Sequence, residues 1–160
     1  MTGKTHMAAG FAAGAAYAYF IDPSAPWLTA GVASACALIP DIDLQTSKLG
    51  RAVLPVSILI QKIFGHRTLF HAPFMYAFLW VYLQHIQPEY IHIIAAAFFG
   101  IFSHIFIDCF NPKGIHLLYP YKKRFSFAKI KTGGKMDTAI GCVTFAVGAA
   151  LFILAIAGVR

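Results

Sequence analysis

Imidazoles and carboxylates in this chain are concentrated where apolar segments meet basic loops. His6, the Pro40-Asp41-Ile42-Asp43 run, His66 with Arg67 and His71, His104 with Asp108, His116 and Asp137 all stand at such junctions, and together they account for five of the seven histidines and four of the six acidic residues. Imidazole and carboxylate are ligands of zinc and related divalent ions. His104 and Asp108, at i and i+4, share one helical face and can reach a common ion or two neighbouring ions. The plainer alternative is a packing histidine with Asp108 as a polar helix terminus. An acidic group in an apolar segment is costly in a bilayer, which favours chemistry over packing.

The remaining candidates follow the same logic. Asp41 and Asp43 both reach one ion only if the backbone turns between them. A solvated helix end is the alternative reading, but the helix dipole opposes carboxylates at a C-terminus and so favours a compensating cation. His66 and His71 offer two nitrogen ligands, and the Arg67 guanidinium between them suits bidentate phosphate recognition, with a helix start there adding backbone N–H donors. His6, alone near a terminus, ranks lower. So does Asp137, because an acid in a first helical turn is favoured by the dipole alone. His85, His92 and His116 lack acidic neighbours and read as interfacial or packing residues.

Composition says what must position these groups. With 59% hydrophobic and 12% charged residues, the chain is too apolar for an ordinary soluble domain. No linker or internal repeat divides its 160 residues, so a single membrane domain is expected. The reading is an all-α polytopic bundle of about five transmembrane helices, over 5–21, 27–43, 70–86, 90–108 and 139–159, with an interfacial helix over 52–64. The first two spans are short and form a hairpin across the Pro-rich turn 22–26. Gly10-xxx-Gly14 permits close helix packing, a weak signal in an Ala-rich segment. Cleavage as a signal peptide, which would delete His6, is not expected from so diluted an apolar region. Cys36, Cys109 and Cys142 form no CxxC pair and read as small buried residues.

Charge orients the bundle. Residues 22–26 and 87–89 carry no Lys or Arg, whereas 44–69 carries Lys48, Arg51, Lys62 and Arg67, and 111–138 carries seven basic residues. The positive-inside rule then places the N-terminus in the cytoplasm and the His/Asp residues on the cytoplasmic side. Only Arg160 falls on the opposite side. The net charge of +7 is topological under this reading, with anionic lipid head groups as the partner and no nucleic acid.

Thr5-His6, Leu38-Ile39-Pro40-Asp41-Ile42-Asp43, His66-Arg67-Thr68 with His71, Ser103-His104 with Asp108, Asn111-Pro112-Lys113-Gly114 with Tyr119-Pro120, and Thr132-Gly133 before an acid form an ordered set spanning nearly the whole chain. The set resembles the YdjM-type family of bacterial inner-membrane proteins, described as metal-dependent hydrolases. The resemblance implies a multi-pass protein of the bacterial inner membrane with a His/Asp metal site, distantly similar to zinc-dependent phospholipase C. Asp137 stands where the family pattern has Glu. Those phosphodiesterases use an N-terminal amine as a ligand, and Met1 lies five residues before His6, so a three-zinc cluster is not expected here.

The expectation is therefore a membrane-embedded hydrolase of phosphoric esters in a lipid or lipid-linked substrate. His6, Asp41, Asp43, His66, His71, His104 and Asp108 hold one or two divalent ions; the imidazole share favours zinc, and the carboxylates also suit manganese. Arg67 and Lys113 stabilise phosphate charge, and Asp43 or Asp137 serves as general base. A metal or proton transporter, with polar residues distributed across the membrane, and a non-catalytic scaffold are the alternatives.

Overall fold

In the computed structural model, which describes residues 1–159, the fold is all-α. Arg160 lies outside the described residues. The α-helices are α1 (Gly3–Phe20), α2 (Pro26–Cys36), α3 (Lys48–Ala52), α4 (Leu54–Phe64), α5 (Pro73–Ile86), α6 (Ile91–Asp108) and α7 (Lys135–Ala157). Turns of 310 helix cover Ile39–Asp43, Leu69–His71 and Pro88–Tyr90. One antiparallel bridge pairs Ile115 with Phe125 in the segment before α7.

Prolines set several boundaries. The segment expected as one span over 27–43 is α-helical only to Cys36, because Pro40 lacks the N–H that would bond the Cys36 carbonyl and restricts Ile39 before it. The chain tightens instead into the Ile39–Asp43 turn. Likewise α5 begins at Pro73, three residues later than expected, with the ring at a position where no N–H is needed. Two stretches are long and apolar enough to cross a membrane, Pro88–Asp108 and Lys135–Ala157. The 11 residues of α2 and the 14 of α5 rise only about 16 and 21 Å. The expected interfacial helix is α4, and its exposed side is mainly apolar, with Leu54, Val56, Ile58, Leu59 and Ile63 beside Lys62.

α1 is the central helix and packs against α2, α6 and α7. Its glycines make this possible. A Cβ on Gly10 would lie 2.6 Å from the Ala33 carbonyl oxygen, and one on Gly14 would lie 2.5 Å from that of Thr29, so the Gly10-xxx-Gly14 pair is a genuine contact with α2. Gly100 of α6 meets the same Ala33 backbone from the other side. α5 packs chiefly on α6, through a cluster of Tyr76, Phe98, Ile101 and Ile105. Gly100→Ala is expected to destabilise the bundle by about 1–3 kcal/mol, since backbone must move to admit the methyl group. Thermal unfolding in detergent, read by helicity, checks this.

Candidate metal centre

The 310 turn over Ile39–Asp43 aims two carboxylates at one place. Its backbone is held by the Ser47 hydroxyl, which donates to the Asp41 carbonyl at 2.7 Å. Asp41 then faces His71 and His104, while Asp43 faces His66 and His71. α1 contributes His6, the segment before α5 contributes His66 and His71, and the last turn of α6 contributes His104 and Asp108. Every one of these groups lies at the same end of the bundle.

His104 has only one nitrogen to offer. Its Nδ1 lies 2.7 Å from the Ala37 carbonyl, an acceptor freed where α2 ends, which assigns the proton to Nδ1 and leaves the Nε2 lone pair facing the site. Around that lone pair, His71 Nε2 stands at 3.3 Å and Asp41 Oδ1 at 3.8 Å. His71 Nε2 is itself 3.9 Å from Asp41 Oδ1 and 3.8 Å from Asp108 Oδ2. Ligand atoms around a tetrahedral zinc ion at about 2.0–2.1 Å lie roughly 3.3 Å apart. The spacing therefore suits a small divalent ion after a contraction of a few tenths of an ångström.

His6 is more central than its isolated place in the sequence implied. It is buried, stacks on the His104 ring at 3.6 Å between centroids, and carries Nε2 3.3 Å from Asp108 Oδ1. Neither His6 nitrogen makes a hydrogen bond of good geometry, nor does His71 Nδ1. Buried polar atoms are rarely left so, and unfilled valence in imidazoles that face carboxylates is what a cation would satisfy. Asp108 also accepts from the buried Met1 amine and pairs with Arg67 Nη2 at 2.8 Å.

Asp43 is placed as an orienting group. It is fully buried; Oδ1 lies 2.6 Å from His66 Nδ1, and Oδ2 accepts the Arg67 N–H at 3.0 Å and lies 3.4 Å from His71 Nδ1. Burial alone would raise its pKa, but the hydrogen bond with His66 and the neighbouring His71 imidazole outweigh it and hold the carboxyl below its ordinary value. With both oxygens engaged, Asp43 serves poorly as a free base and well as the carboxylate that fixes two imidazoles.

Asp137 lies apart from the cluster. Its Oδ1 accepts from the Thr5 hydroxyl at 2.6 Å, and its Oδ2 accepts from Thr2 N at 3.0 Å and Gly133 N at 2.7 Å. The carboxylate thus ties the start of α7 to α1, and it is fully buried away from the cavity where water would be activated. This geometry corrects the expectation of Asp137 as base.

Arg67 occupies the left-handed region at φ 65°, following Gly65 at φ 79°. No α-helix begins here, because the segment enters a 310 turn over Leu69–His71 and α5 starts at a proline, and the Arg67 N–H is spent on Asp43. The guanidinium instead spans Asp108 and the Asn111 side-chain oxygen, the latter at 2.8 Å. Asn111, buried, also donates to Thr132 Oγ1 at 2.7 Å. Sequence reasoning quoted Asn111 without assigning it a role; its only signal was the Asn-Pro-Lys-Gly run.

Above the cluster opens a cavity of about 440 Å³, walled by Asp41, His66, Arg67, Asn111, Lys113 and Lys131 among others. Three cations surround one carboxylate there, a balance that suits an anionic guest. His116 lies outside, its Nε2 accepting from Arg124 at 3.0 Å, and burial and then that guanidinium lower its pKa. His92 lies at the far end of the bundle beside Tyr17 and Asp22.

A family model described as YdjM inner membrane protein matches residues 1–160. The uncharacterized protein YvsG of Bacillus subtilis (strain 168) is 38% identical over 123 residues, covering 75% of this chain and 74% of YvsG. The inner membrane protein YdjM of Escherichia coli (strain K12) is 37% identical over 93 residues, covering 55% of this chain and 47% of that protein, about half its length. No solved structure matches.

Proposed function

Because the chain belongs to the YdjM inner membrane protein family, its buried imidazoles and carboxylates lie in a membrane protein, and we propose that it acts there as a metal-dependent hydrolase of lipid-borne phosphoric esters. The observation that carries this reading is that Asp41, His71, His104 and Asp108 fall into two overlapping sets of ligand atoms sharing His104, Asp41 with His71 and Asp108 with His6, beneath a cavity walled by Arg67, Lys113 and Lys131. Those four groups, with His6, would hold one or two ions, zinc by preference and manganese as the carboxylate-tolerant substitute. When bound, such an ion would polarise a phosphoryl oxygen and make water acidic enough to attack at neutral pH.

The chain's own residues supply the rest. Arg67, braced by Asp108 and Asn111, faces the cavity as the phosphate clamp, and Lys113 and Lys131 add charge at its rim. His66, partly exposed on the same wall and backed by Asp43, is placed to accept a proton from water. The arrangement is an acid–imidazole pair in which the buried member sets the orientation.

Five helices, α1, α2, α5, α6 and α7, are proposed to cross or enter the bilayer, with the metal end cytoplasmic. Support comes from the basic loops 44–69 and 111–138, which share that end. A transporter would need polar groups along its length, yet the buried residues of α6 between its two ends are Ala95, Ala96, Phe98, Gly100 and Ile101.

Elemental mass spectrometry of detergent-purified protein is expected to find roughly one or two zinc ions per chain. Asp41→Ala, at unchanged helicity, is expected to lose most of that metal together with zinc-dependent hydrolysis across a panel of phospholipids and polyprenyl phosphates. A protein that takes up neither zinc nor manganese on reconstitution would overturn the proposal.

A further inference from the structure

A second recess and two apolar furrows adjoin the metal centre and take no part in the chemistry above. The recess, about 630 Å³, is lined by Lys4, Ser47, Lys48 and Arg51, and shares Asp41, Leu44 and Thr46 with the cavity over the metal centre. Two furrows leave its lower edge along α1. One, about 300 Å³, runs past Met7, Phe11, Ser34 and Phe145; the other, about 330 Å³, runs past Thr5, Gly141, Cys142 and Phe145. Lys4 and Ala8 line both, and Lys48 heads the first.

The order of residues matters. Lys4, Ala8 and Phe11 fall at i, i+4 and i+7, one stripe of α1 that descends from the polar end into the apolar body of the bundle. Neither furrow has an acidic residue on its wall. Lys4 and Lys48 make no ion pair among the described residues, and the Lys48 ammonium rests 3.7 Å from the Met7 sulfur. Unpaired ammonium groups above apolar troughs match a phosphate head group above hydrocarbon chains. A soluble anion would leave the troughs unused, and a neutral lipid would leave the lysines unused.

We propose that this composite surface binds an anionic phospholipid, with its phosphate between Lys4 and Lys48 and its acyl chains in the two furrows. The shared wall at Asp41 and Thr46 then sets the head group beside the metal centre. Taking this lipid as the substrate rests on the hydrolase proposal, whereas the binding site stands without it.

The test is lipid retention by native mass spectrometry, after release from bilayers holding phosphatidylglycerol and phosphatidylcholine in equal amounts. The wild type is expected to keep phosphatidylglycerol preferentially. Lys4→Gln with Lys48→Gln, both exposed positions, should weaken that retention by about tenfold or more. Ala8→Phe, which fills both furrows, should weaken retention of either lipid. Equal retention of the two lipids by the wild type, or undiminished phosphatidylglycerol in the lysine variant, overturns the site. Displacement by inorganic phosphate alone overturns it too, by making the ligand a soluble anion. Zinc content of the same samples separates the two readings. Lipid preference in protein that takes up neither zinc nor manganese keeps this site and removes the hydrolase, and bound metal without lipid preference does the reverse.

Discussion

His104→Ala is expected to lower zinc affinity by at least about a hundredfold, leaving the purified protein essentially metal-free after brief exposure to a chelator. Structural zinc sites bind with about 10–16 kcal/mol, so one of four ligands carries roughly 3 kcal/mol. His104 belongs both to the set with His6 and Asp108 and to the set with Asp41 and His71, and its Nε2 is committed by the bond from Nδ1 to Ala37. The side chain also stacks on His6, so its removal frees a second imidazole from its place. Zinc titration against a competing chelator, with helicity as the control for folding, gives the answer. Affinity within a few fold of wild type would show that the converging imidazoles hold no ion.

Arg67→Ala should produce the largest loss of stability, about 3 kcal/mol, because it takes the guanidinium from buried Asp108 Oδ2 and leaves that carboxylate paired only through Oδ1 with the Met1 amine. It should also free the Asn111 oxygen that the guanidinium engages. Arg67→Lys keeps a charge but cannot bridge Asp108 and Asn111 together, so it should fall between wild type and Ala. Unfolding midpoints of the three proteins, measured with and without added zinc, check the order. If the Ala variant matches wild type in both conditions, the arginine contributes nothing to holding Asp108.

Much of the site was legible because a bilayer penalises polar side chains so heavily that their placement is informative. Asp41, His71, His104 and Asp108 lie at one end of the bundle, as their positions at segment ends suggested. His6 was underrated since a lone histidine has no sequence partner; its partner is His104, almost a hundred residues later. Asp137 misled in the other direction. An acid near a suspected site invites a catalytic role, and only the geometry shows its oxygens consumed by Thr2, Thr5 and Gly133. The helix limits failed where Pro40 and Pro73 outweighed hydrophobic length. The strength of Gly10-xxx-Gly14 was invisible without knowing that Thr29 and Ala33 backbone lies against it.

The bond from Thr5 to Asp137 joins positions 132 residues apart. α1 precedes α7 in the chain, so during synthesis the helix that bears His6 stays bare on one side until α7 has been made. Every other imidazole of the cluster has been made by then. The cluster's other residues therefore exist before that flank of α1 is covered, and the packing of α7 completes the surroundings of the helix that carries His6.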